Sequence, residues 1–192
     1  MIDPTGKAGV SAPVVLVCGF GPGFYDDLAR ARSLYPDAPA IAVNEASKAV
    51  KAFAIFSLHP EKMLRWRALQ DLHFGEGYKT HTGGKYCDVP NREKKYPGVD
   101  CWWPEANGGG TSVWAAQKMG KLMGFEKRIL VGAPLVPGNY ADKGFAKAFR
   151  EGQRRKDGKG EVLEHYRAFI EKDTDWHEGC TSMSGWTREF LG

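Results

Sequence analysis

The chain has 192 residues, with 42% apolar and 26% charged side chains and a formal net charge of +4. The length suits one domain of roughly 100–200 residues and excludes a large multidomain enzyme, and the composition is far from that of disordered chains. So mild a positive charge suits a small anionic partner and falls well short of a nucleic-acid-binding arm, so nucleic acid is not an expected partner.

Residues 1–13 carry Pro, Gly, Ser and Thr without an apolar period and read as a flexible lead. Having one basic residue and no long apolar run, they do not form a signal peptide. The longest apolar stretch, Val14 to Cys18, is about a quarter of the ~20 residues a membrane span requires. A cytoplasmic protein with no membrane span is the expectation. The rest, 14–192, reads as a single Rossmann-like domain.

Val14 to Cys18 is a continuous apolar run ended by Gly19, the pattern of a strand buried on both faces. Tyr25 to Tyr35 is helical, with Leu28, Ala31, Arg32 and Tyr35 on one face, and Pro36 stops it. Ala40 to Val43 is a second short strand, a helix is expected from about Glu45 to Lys51, and Phe53 to Leu58 is a third strand. Pro60 opens another helix carrying Met63, Leu64, Trp66, Arg67 and Leu69. This β-α-β-α-β-α order predicts an α/β, mostly parallel sheet with helices on both faces.

From His73 to Gly110 the period is lost, and His, Gly, Tyr, Trp, Pro and Lys crowd together. This stretch reads as an irregular insertion at about 73–110, with one hairpin over the sheet edge. Thr111 to Met123 is strongly helical and ends at Gly124; Arg128 to Val131 is another buried strand. Helices follow at about Asp142–Arg154 and Glu161–Asp173, separated by a basic, glycine-rich link, and Thr181 to Trp186 forms a last short strand and turn. The sequence contains no internal repeat.

Glycine clusters at two predicted helix starts. Gly19-Phe20-Gly21-Pro22-Gly23 lies between the first strand and first helix, where amides and a helix N-terminus can receive an anion. The third glycine comes one position too early for a G-x-G-x-x-G fingerprint, and the second strand ends in Asn44 rather than an acid, which weighs against NAD. Asn44 suits a base or ribose at the carboxyl ends of the strands. The other reading of Gly19, Gly21 and Gly23 is a turn that packs the helix against the sheet. Gly108, Gly109, Gly110, Thr111 and Ser112 form the second start, combining amides with hydroxyls, or else a simple capped helix after a linker. No G-x-x-x-x-G-K-[ST] is present, so a P-loop kinase is excluded.

His59 lies just past the third strand and fits a general base or a phosphate contact as well as it fits a cap on the next helix. His165 has the spacing of a surface or half-buried helix residue, and His177 lies in a loop that could reach a site. Trp102 and Trp103 suit a substrate lid that stacks a base or sugar, or an anchor for the insertion. Arg92, Lys94, Lys95, Arg154, Arg155 and Lys156 read chiefly as solvated charge. Four cysteines without a C-x-x-C pair exclude a disulfide scaffold. A zinc site from His73, His81, Cys87 and Cys101 is conceivable, but the spacing matches no common site and no metal is expected.

Several segments together carry a resemblance: Val14 to Gly23, Ile41 to Asn44, Phe56 to Glu61, Gly110 to Ser112, Met123 to Gly132, and Ser182 to Thr187. In these the chain resembles the superfamily joining glycosyltransferase family 42 (bacterial sialyltransferase-like) with the 6-hydroxymethylpterin diphosphokinase MptE-like proteins. The resemblance implies a Rossmann-like domain holding a nucleotide across Gly19–Gly23 and Asn44, with the Gly110–Ser112 helix start near the phosphates. In the first branch a CMP-sugar donor is used without metal and a histidine is the base; in the second, ATP and magnesium are used. Here His59 and Ala133-Pro134 stand where acidic residues are common in relatives. Both departures remove magnesium ligands and favour metal-free transfer or a non-catalytic relative. The expected function is therefore a glycosyltransferase-like transferase with His59 as base and a nucleotide-sugar donor. The alternatives are a Mg/ATP-dependent pyrophosphoryl transferase and a non-catalytic nucleotide- or partner-binding protein. Phage or bacterial origin and a homo-oligomer are both compatible with the sequence.

Overall fold

A computed structural model describes residues 14–109, 111–139, 141, 147–149, 153, 155 and 160–192. The first half runs β1 (Val14–Cys18), α1 (Phe24–Leu34), β2 (Ala40–Val43), β3 (Ala54–Phe56) and α2 (Met63–Phe74). It continues through β4 (Lys79–Gly83), a short α3 (Arg92–Lys95) and β5 (Cys101–Trp103). Next come α4 (Ser112–Leu122), β6 (Lys127–Val131), and a two-stranded ribbon of β7 (Gly138–Asn139) and β8 (Lys147–Phe149). The chain closes with α5 (Val162–Lys172), β9 (Cys180–Ser182) and α6 (Gly185–Leu191).

Seven strands form one sheet in the order β5-β4-β3-β2-β1-β6-β9, and every pairing in it is parallel. Parallel strands need helical crossovers, so both faces are covered and the strands become continuous apolar runs. Side chains alternate across the sheet. Val15, Val17, Ile41, Val43, Ala54 and Phe56 face α4 and α5, meeting Trp114, Met119 and Ile170. Leu16, Cys18, Ala40, Ala42, Ile129 and Val131 face α1 through Phe24 and Ala31. Ile55 packs with Met63 and Trp66 of α2. Each fully buried Leu, Ile or Phe of these layers contributes about 1.5–3 kcal/mol. The strand order reverses direction at β1, and in such sheets a crevice opens at that point beyond the carboxyl ends of the strands.

The expected fold class is thus observed, with differences in detail. The 73–110 segment does not lay a hairpin over the sheet edge; β4 and β5 extend the sheet as two further parallel strands. The segment expected as a helix from Glu45 is a 3-10 turn, Asn44–Lys48. Within the helix expected at 142–154, residues 147–149 are β8, paired antiparallel with β7, and most of the remainder lies outside the described residues. The terminal strand is followed by α6 as well as a turn. Residues 1–13 also lie outside the described residues. Among the described residues, no helix is long and apolar enough to cross a membrane.

Candidate functional site

A cleft of about 860 Å³ opens where the carboxyl ends of β1, β2, β3 and β6 meet the start of α4 and one side of α5. Of the residues singled out from sequence, Gly19, Gly21, Asn44, His59, Gly109, Thr111 and Ser112 line it. Gly110 lies outside the described residues.

The glycine loop after β1 is built for close packing. Gly19 N–H donates to the Val131 carbonyl and Gly21 N–H to the Gly132 carbonyl, both at 2.8 Å. A Cβ on Gly19 or Gly21 would lie 2.8 or 2.7 Å from the Gly132 oxygen, so neither position admits a side chain. These two amides are therefore committed to β6 and cannot cradle a phosphate, which corrects the anion-binding expectation for them. Gly23 does not line the cleft; it caps α1 with φ 75°, a left-handed conformation that favours glycine. Nearby, buried Asp27 accepts from Gly132 N–H at 3.0 Å and from the Ser184 hydroxyl at 2.6 Å, tying α1 to the ends of β6 and β9.

At the second helix start the glycines also have a packing cause. Gly109 has φ 57°, and its Cβ would penetrate the Phe169 ring of α5. The amides differ from those of the first loop. The first three N–H groups of α4, from Ser112 to Trp114, have no intrahelical partner, and the N-cap Thr111 side chain makes no cap hydrogen bond to them. Thr111 Oγ1 donates to the Gly108 carbonyl at 3.1 Å, and Ser112 Oγ accepts from Leu58 N–H at 3.2 Å, joining the helix start to the end of β3.

Asn44 carries the clearest signs of a function. It has φ 54°, a left-handed conformation rare for a residue with a side chain, though asparagine tolerates it. Among the described residues its buried Oδ1 has no hydrogen-bond partner. A buried acceptor left unmatched costs about 1–3 kcal/mol, and strain together with an orphaned group in a cleft points to a ligand that supplies a donor. Next to it, Glu45 has both carboxylate oxygens engaged, one by Arg65 at 2.9 Å and the other by the Trp66 indole N–H at 2.5 Å.

His59 is half exposed, and its Nδ1 lies 3.4 Å from the Glu61 carboxylate. The Glu61 carboxylate stands beside the ring, as an orienting group does beside a general base.

Trp102 and Trp103 are absent from the cleft wall, so the structure does not support the lid expectation. They belong to β5, at the far edge of the sheet. Arg92 stacks on Trp102 at 4.8 Å, and the Trp103 indole donates to His81 Nδ1 at 3.0 Å. Burial pushes the His81 pKa down to about 4, so this imidazole is neutral near pH 7. Among the described residues no group of three or more His, Cys, Asp or Glu is placed to hold a metal, so His73, His81, Cys87 and Cys101 form no zinc site.

The opposite wall was not foreseen. Arg155 and His165, with Gln153 and Tyr166, line the cleft, and the Arg155 guanidinium meets His165 Nδ1 at 2.5 Å. Arg155 read as solvated charge and His165 as an ordinary helix residue, and no spacing joins them to Asn44. His177 instead packs between Trp114 and Phe190, with Nε2 2.6 Å from the Ile170 carbonyl.

No family model matches this sequence, and no curated protein matches it. Among solved structures it is similar to the MAf glycosyltransferase from Magnetospirillum magneticum AMB-1, with a TM-score of 0.56 and 15% identity. The fold is glycosyltransferase-like. The similarity covers 93% of this chain and 33% of that one, so the chain spans about a third of its neighbour's length. At this identity the match speaks for the fold and does not reach the particular family named from the motifs.

Proposed function

We propose that this chain binds a nucleotide-sugar in the cleft and transfers the sugar to an acceptor hydroxyl, as a glycosyltransferase-like transferase that needs no metal. The observation that carries this reading is the buried Oδ1 of strained Asn44 at the carboxyl end of β2, unpartnered among the described residues, which a ribose hydroxyl or base amine would satisfy. The fold of the MAf glycosyltransferase neighbour agrees with it. His59 Nε2 would take the acceptor proton as the new glycosidic bond forms. The bond between the sugar and the donor phosphate breaks, and its electron pair leaves on the phosphate oxygen. Lys62 lines the cleft and would offset part of the donor's charge. Among the described lining residues the only carboxylate is Glu45, already engaged by Arg65 and Trp66, and one engaged carboxylate is a poor donor set for magnesium.

Calorimetry with CMP, UMP, AMP and their sugar conjugates, with and without magnesium, tests the reading. At least one should bind without magnesium, Asn44→Ala should weaken it about fivefold to tenfold, and His59→Ala should abolish turnover while leaving binding intact. Absence of binding by every compound would sink the proposal. Binding that requires magnesium would favour an ATP-dependent pyrophosphoryl transferase. Binding with no turnover from any donor would mark a non-catalytic module.

A further inference from the structure

We infer that Glu45 is the positioning residue of the cleft, holding Asn44 in its left-handed conformation through a clamp to α2; this rests on the nucleotide reading above. A left-handed backbone costs free energy for any residue with a Cβ, so the surroundings must hold it there. At Asn44, with φ 54°, two sets of contacts do so. Within the 3-10 turn, the buried Ser47 hydroxyl donates to the Asn44 carbonyl at 2.8 Å. From outside it, the Glu45 carboxylate accepts from the Trp66 indole N–H at 2.5 Å and from the Arg65 guanidinium at 2.9 Å. The Glu45 side chain is only 17% exposed and Trp66 is buried, so little water competes for the indole bond.

Gln70, one turn beyond Trp66 and buried, strengthens the same join. In the amide orientation that satisfies both its polar atoms, it donates to the Ser47 carbonyl at 3.0 Å and accepts from Ala52 N–H at 3.3 Å. The clamp accounts for two charged residues of the cleft wall, Glu45 and Arg65, being paired with each other. With both oxygens engaged, Glu45 acts through its neighbour rather than on the ligand. The turn that opens α2 begins directly after His59, whose carbonyl accepts from Lys62 N–H at 3.0 Å. One helix therefore anchors the Asn44 turn along its side and His59 at its start. Glu45 sets the spacing between the nucleotide contact and the base.

The test is a double-mutant cycle read by calorimetry with CMP, UMP and AMP on the whole chain, with thermal melts confirming that each variant folds. Glu45→Ala should weaken the preferred nucleotide as much as Asn44→Ala does, about fivefold to tenfold. The double variant should bind no more weakly than Asn44→Ala alone, because Glu45 acts only through Asn44. Glu45→Gln, whose amide oxygen still accepts from Trp66, should keep most of the affinity. Trp66→Phe, which removes the N–H and keeps an aromatic ring, should lose affinity like Glu45→Ala and takes its place in the cycle should that variant not fold. Unchanged affinity in both Glu45→Ala and Trp66→Phe would overturn the positioning role while the nucleotide reading stands. Additive losses of about 25- to 100-fold in the double variant would do the same. Failure of the wild type to bind any of the three would remove the nucleotide reading and this role together.

Discussion

The two glycine-rich helix starts look alike in sequence and differ in what their amides do. Before α1, Gly19 and Gly21 give their N–H groups to carbonyls at the end of β6, and the lack of a Cβ serves contact with Gly132. Before α4, Gly109 yields space to Phe169, while the first amides of the helix have no intrahelical partner and lie at the cleft. Glycine density therefore reports close approach of backbone to something, and only the hydrogen-bond ledger says whether that something is the protein itself or a ligand.

Each start is also secured by a buried charge, and removing those charges separates the two most sharply. Asp173→Ala should cost the most, about 3–5 kcal/mol in urea denaturation, because it takes the ion-pair partner from the buried Lys118 ammonium of α4. Asp27→Ala should cost about 2–3 kcal/mol, since the Gly132 amide and the Ser184 hydroxyl lose a charged acceptor. A cost for Asp27→Ala equal to or above that of Asp173→Ala would reverse the contrast. Within the first loop, Gly21→Ala should cost about 2 kcal/mol through its clash with the Gly132 carbonyl. Gly23→Ala, with open space around it and only its φ of 75° against it, should cost about 1 kcal/mol. The smallest effect is one of hydrogen exchange. In the ligand-free protein the Gly19 and Gly21 amides should exchange slowly and those of Ser112 and Val113 fast, and added nucleotide should slow only the second pair. Slowing at Gly19 and Gly21 instead would restore the first loop as a phosphate cradle.

Much of the sheet was legible because burial on both faces leaves uninterrupted apolar runs, as in Val14–Cys18 and Ala40–Val43. β4 escaped notice because Lys-Thr-His-Thr-Gly has no such run, although all but the first of these residues are buried. Its polar atoms are satisfied internally: Thr80 Oγ1 donates to the Gly98 carbonyl at 2.6 Å and Thr82 Oγ1 to the Ser57 carbonyl at 2.6 Å. Those partners come from other elements, so local composition cannot announce them. Asn44, His59 and Ser112 were legible as cleft residues because strand ends and helix starts converge by topology. His165 was not, since its place depends on how α5 seats against α4, which the helix's own period does not encode.

The bond between Asp27 and Ser184 spans 157 residues of sequence. On a ribosome adding ~5–20 residues per second, the buried carboxylate of the first helix waits on the order of ten to thirty seconds for the hydroxyl that completes its shell. The glycine loop beside it must therefore be held by β6 alone until β9 docks. The cleft takes its lining from Gly19 to Thr187, so its wall is complete only once segments from the β1 end to α6 have been brought together.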